Sequence, residues 1–108
     1  MTADEALHAL IEALEELRQL LPASKGRWDA DRVLRLAIER LWITAGNAAE
    51  RYRLAAGIDA GDDPWAELVA YRHRLAHALP SDISSERVWS DSTGDLPRLL
   101  TEVREHMN

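Results

Sequence analysis

Residues 3–21 read ADEALHALIEALEELRQLL. Leu7, Leu10, Ile11, Leu14, Leu17 and Leu21 recur at helical spacing, with Glu5, Glu12, Glu15, Glu16 and Arg18 elsewhere on the wheel. The pattern predicts an amphipathic helix with one buried face. Thr2 or Asp4 is its expected cap and Pro22 its stop. No later segment alternates with the period of a strand, and no internal repeat or low-complexity tract is present. The chain therefore reads as all-α.

Working outward, Pro22 to Trp28 reads as a loop. Asp29 or Asp31 caps a second helix that runs to about Ala56, with Gly57 as its stop. Its apolar residues, from Val33 to Leu54, occupy more than one stripe, so it touches several neighbours or another subunit. Ala45, Gly46, Ala48 and Ala49 form a small-residue zone that permits close helix approach. Gly46 costs roughly 1 kcal/mol there relative to alanine. Asn47 in the same zone reads as a solvated or locally bonded amide. Asp62 or Asp63 followed by Pro64 marks a third helix with proline at its first position. It runs towards Leu79, and Pro80 places His77 in the last turn or where the helix unwinds. Ser84 or Ser85 starts a fourth segment. Gly94 and Pro97 interrupt it, with a kink expected rather than a break because Leu96, Leu99, Leu100, Val103 and Met107 resume the stripe. The expected fold is an antiparallel four- to five-helix bundle, one domain over residues 1–108.

The totals exclude several classes. The 108 residues carry a net charge of −6 and no cysteine, so there is no disulfide framework and no thiolate metal site. Met1 to Leu10 lacks the pattern of a signal peptide, and no segment approaches ~18 uninterrupted apolar residues. A soluble cytoplasmic protein with no membrane partner is expected. The acidic balance argues against broad binding along nucleic-acid backbone, but not against a small site for one phosphate.

Such a site is suggested by YRHRLAHAL, residues 71–79. No acidic residue lies between Leu68 and Ser81. Arg72 falls on the apolar stripe of Trp65, Leu68, Val69, Leu75, Ala76 and Leu79, where a guanidinium needs a partner or water. Arg72 and His77 are five residues apart, about 500° of helical rotation, so they project roughly 140° from each other. They can flank one groove, and a two-fold partner can bring a second copy of the pair close. A helix C-terminus stabilises the His77 imidazolium. That suits a proton donor or acceptor in RNA cleavage, where the 2′-hydroxyl loses a proton and the 5′-oxygen gains one. Arg72 can offer a planar fork to the charged phosphate oxygens. The plain alternative for His77 is an exposed or capping histidine.

His73 and His77 have metal-ligand spacing, but two ligands beside Arg74 and no acid do not make a metal site. No metal or cofactor is expected. Arg74 reads either as a solvated charge or as a phosphate contact. Trp28, Trp42, Trp65 and Trp89 read as core or interface anchors. There is no glycine-rich phosphate loop, no serine nucleophile motif and no recognisable carboxylate pair.

Arg72-His73-Arg74-Leu75-Ala76-His77 resembles the Arg-x4-His motif of the HEPN superfamily. The neighbouring segments, Leu34 to Arg51, Val88-Trp89 and Asp95 to Leu100, are similar to its HepT-like branch, from about Asp29 to Val103. The resemblance implies an all-helical homodimer with its motifs facing across the two-fold axis. It implies a metal-independent endoribonuclease acting on RNA, often a toxin whose antitoxin is a minimal nucleotidyltransferase. On this resemblance Arg72 steadies the phosphate, His77 transfers protons, and His73 orients the site. Two positions depart from the branch. Leu79 stands where a tyrosine is usually the hydroxyl that the partner adenylylates, and neither Tyr52 nor Tyr71 matches that position. Asn47 stands where many relatives carry an acid. Two other readings use the same patch: a non-catalytic module that binds a nucleotide or partner, and a structural dimer in which Arg72 is internally bonded.

Overall fold

The computed structural model describes residues 1–107. Among them are five helices, α1 (Ala3–Leu20), α2 (Lys25–Ala30), α3 (Arg32–Ala56), α4 (Trp65–His77) and α5 (Ser85–Arg104), with a 3-10 turn at Pro80–Asp82 and no strand. The all-α expectation holds.

Local chemistry sets most of the boundaries. The Thr2 side chain accepts from the Glu5 amide at 3.1 Å, and Asp31 accepts from the Leu34 amide at 2.9 Å. Ser84 likewise accepts from the Arg87 amide. Each cap satisfies one of the first-turn donors that a helix leaves unpaired. Gly57 ends α3 at φ 71°, a left-handed conformation in which a side chain is strained.

Two local expectations are corrected. The supposed loop from Pro22 to Trp28 contains most of α2, capped by Ser24 and anchored by the fully buried Trp28. Its indole donates to the Ser85 carbonyl at 3.1 Å. Pro64 sits at the N-cap of α4 rather than inside the first turn, after a cis peptide bond from Asp63, and no carboxylate caps the helix. Backbone carbonyls serve instead: the Ala66 and Leu68 amides donate to Asp62 and Pro64. Gly94 and Pro97 leave α5 one continuous helix, so the expected absence of a break holds. Pro97 and Thr93, whose carbonyl loses its usual partner, are both exposed, so water can meet that lost bond.

The core lies around α3, with α1 packed along one side and α4 along another. Leu7, Leu10, Leu14 and Leu17 of α1 are buried there, as are Ile38, Trp42, Ala45 and Ala49 of α3. Tyr52 meets Trp65 at 4.7 Å and Trp42 stacks on Tyr71 at 4.6 Å, a pairing that runs α3 and α4 antiparallel. The Trp42 indole donates to the buried Ser92 hydroxyl of α5 at 2.8 Å. The tryptophans are anchors as expected: three are fully buried, and Trp89 is half-buried against Trp28. One stripe of α3 stays bare, with Val33 76 %, Leu36 42 % and Leu54 63 % exposed.

Candidate active site on the fourth helix

Gly46 places α3 against α4. A Cβ built at Gly46 would lie 2.3 Å from the Arg72 Cβ and 2.8 Å from the Leu68 carbonyl. The small-residue zone therefore works as close-approach packing, with Arg72 at the contact. Seated by this contact, the half-buried Arg72 donates from Nη1 to the Asn47 Oδ1 at 3.3 Å. Asn47 is neutral, so this bond orients the guanidinium without cancelling its charge. Among the described residues Arg72 forms no ion pair within 4 Å. Glu50, one turn along α3, is committed to Arg53 at 2.8 Å. The hydrogen bonds from Arg53 hold its carboxyl below the usual range, with a smaller contribution from the Arg72 charge.

His73 and His77 are both exposed, and their rings are 4.5 Å apart between centres, tilted by 56°. His77 is the last residue of α4, and Ala78 is already extended at ψ 146°. The imidazole thus stands beside the unpaired carbonyls of a helix end.

Arg74 points elsewhere. It pairs with Asp91 of α5 at 3.1 Å, and its guanidinium carbon lies 4.8 Å from the centre of the Tyr71 ring. Structure therefore brings Arg72 to α3 and Arg74 to α5, on different sides of one helix. Tyr71 is buried between Trp42 and α5, with its hydroxyl donating to Asp95. Burial, reinforced by that bond, pushes its ionisation well above the ordinary phenol range. Tyr52 is buried too, against Trp65. Leu79, by contrast, is 67 % exposed just beyond the helix.

The α5 partners Asp91 and Asp95 were not singled out by the sequence reading. Nothing local marks them, since Arg74 and Asp91 are seventeen residues apart and meet only through the packing of the helices. A pocket of about 170 Å³ opens beside Asp91, lined by Trp42, Tyr71, Leu75, Ile83 and Val88, with Arg74 and Arg87 also on its wall.

The arrangement offers an oriented, unneutralised guanidinium on one side of α4 and two solvent-facing imidazoles around its C-terminal turn. Those groups can bind a phosphate and carry protons to and from it. No described helix is long and apolar enough to cross a membrane. Comparison with curated proteins and with solved structures gave no significant match. The family model for HepT-like ribonucleases matches residues 10–106, from the first helix through the last. The chain belongs to the HepT-like ribonuclease family of the HEPN superfamily.

Proposed function

We propose that the protein is a metal-independent endoribonuclease, a toxin of a toxin–antitoxin pair, acting as a homodimer in the cytoplasm. The observation that carries this reading is the state of Arg72. It is held in place by Gly46 and Asn47, yet no carboxylate among the described residues forms an ion pair with it. A half-buried guanidinium in that state is prepared for an anion from outside the chain.

In the proposed reaction a ribose 2′-hydroxyl attacks the adjacent phosphorus and the bond to the 5′-oxygen breaks. The products are a 2′,3′-cyclic phosphate and a free 5′-hydroxyl. His77 takes the proton from the nucleophile or supplies it to the leaving oxygen, and the partner copy's imidazole can take the complementary role. Arg72 binds the phosphate oxygens as charge builds on them. His73 steadies the His77 ring. Because α4 alone does not stack Arg72 on His77, two copies related by a two-fold axis complete the site. The bare Val33–Leu36 stripe of α3 supports such a second copy. The proposed antitoxin is a minimal nucleotidyltransferase. Leu79 has no hydroxyl to accept an adenylyl group, so such a partner silences this chain by another route.

RNA cleavage in excess chelator tests the reading. The intact protein is expected to leave cyclic-phosphate ends, and His77→Ala to leave the RNA whole. Equal cleavage by both proteins removes the proton-transfer role, and a monomer in dilute solution removes the composite site.

A further inference from the structure

His73 and His77 stand one turn apart on the exposed end of α4, with ring centres separated by 4.5 Å. Two imidazoles sharing one ion, with metal–nitrogen bonds of about 2.0–2.1 Å, hold their centres about 4.5–5.2 Å apart at bond angles of roughly 90–110°. The observed spacing lies at the short end of that range, before any ion is bound. Both rings face solvent, so binding requires no opening of the core. The sequence argued against an ion here on two grounds: two ligands with no acid do not make a full metal site, and Arg74 is adjacent. The fold answers the second ground, since the Arg74 charge is matched by Asp91 on the α5 side of the helix. Arg72, the other neighbouring cation, is drawn towards α3 by Asn47. Among the described residues no third histidine or carboxylate joins the pair. The remaining coordination positions are open to water.

We propose that His73 and His77 of one chain form a two-imidazole site for a divalent transition ion of the class that prefers nitrogen ligands: zinc, copper or nickel. The ion is an inhibitor and not a cofactor. It occupies the nitrogen lone pairs that proton transfer requires and fixes both rings around itself. Its binding stands on the geometry alone, while its inhibitory effect rests on the nuclease reading above.

Titrating untagged full-length protein with nickel chloride, and separately with zinc chloride, by calorimetry tests the site. The expected result is one ion per chain, with at least tenfold weaker binding in His73→Gln and in His77→Gln and no change in His8→Gln. Both site histidines are exposed, so circular dichroism is expected to show all three variants folded. Binding that survives both substitutions, or half an ion per chain, overturns the one-chain site. RNA cleavage by the intact protein, measured beside the calorimetry, separates the two readings. If the ion binds the pair and no cleavage occurs without metal, the nuclease reading fails and the site stands. If cleavage occurs and zinc at saturating occupancy leaves its rate unchanged, the inhibitory role fails and the nuclease reading stands.

Discussion

The two sides of α4 carry the same kind of residue to opposite ends. Facing α5, the charges are matched: Glu67 with Arg98 at 2.6 Å, Arg74 with Asp91 at 3.1 Å, and the Tyr71 hydroxyl with Asp95. Facing α3, Arg72 meets a neutral amide at 3.3 Å and, among the described residues, forms no ion pair. Arg72 and Arg74 are two residues apart, yet Arg74 is ion-paired to a neighbouring helix and Arg72 is bonded to a neutral amide. What separates them is the neighbouring helix. α5 presents acids to α4, whereas α3 presents Gly46, Asn47 and a Glu50 already held by Arg53.

The sharpest way to break this comparison is Arg72→Ala. Loss of one charge-stabilising donor is expected to lower cleavage by about 10²–10³-fold. Stability should barely move, because alanine keeps the Cβ that packs on Gly46 and only a long hydrogen bond is lost. Parallel RNA assays and urea melts check both halves. A collapse in stability with proportional loss of activity makes Arg72 a brace like Arg74.

Gly46→Ala probes the close approach. Alanine gains roughly 1 kcal/mol of helix propensity over glycine. Its methyl, however, meets the Arg72 Cβ and the Leu68 carbonyl, neither of which can swing aside. Overpacking of that kind costs about 1–3 kcal/mol. The expected net result is a lower urea midpoint, together with weaker cleavage because Arg72 is displaced. A stabilised variant means α3 and α4 are not pressed together at this point.

Tyr71→Phe cuts the α5 side. Removing the hydroxyl that serves Asp95 is expected to cost about 1–2 kcal/mol, since the ring stays stacked on Trp42. The pH dependence has a definite sign. The folded phenol ionises above its ordinary value of 10.0, so it holds its proton more tightly in the folded state than in the unfolded one. Its contribution is complete below pH 10 and falls as pH rises through the folded ionisation. Denaturant melts between neutral and alkaline pH should show that decline in the intact chain and a flatter profile in the phenylalanine variant.

How much of this was legible beforehand follows from distance along the chain. The caps at Thr2, Asp31, Ser84 and Gly57 were readable because each acts within a few residues of itself. The closeness implied by Ala45-Gly46 was readable as a potential, though not that Arg72 would be the residue it admits. The acid-free run from Leu68 to Ser81 suggested a basic patch, which survives around Arg72 and fails around Arg74. Asp91 and Asp95 arrive from another helix, and sequence order carries no sign of them. α2 was missed for a related reason. At six residues it has too little periodicity to see, and it is held by Trp28 meeting α5 and by Lys25 reaching Glu86 at 2.6 Å.

Arg74→Ala is the smallest and most discriminating change. Its pair with Asp91 is partly exposed, and such pairs contribute about 0.2–1 kcal/mol. The contact over the Tyr71 ring adds a little more, on the order of 0.5 kcal/mol at a solvent-facing site. A small downward shift of the urea midpoint is therefore expected, with cleavage within a fewfold of the intact protein. The sequence-level expectation that Arg74 touches the phosphate predicts a different outcome: stable protein and a loss of cleavage approaching that of Arg72→Ala. That result requires the guanidinium to leave Asp91 when RNA binds, because an arginine held on the α5 side cannot also serve the α3 side of the same helix.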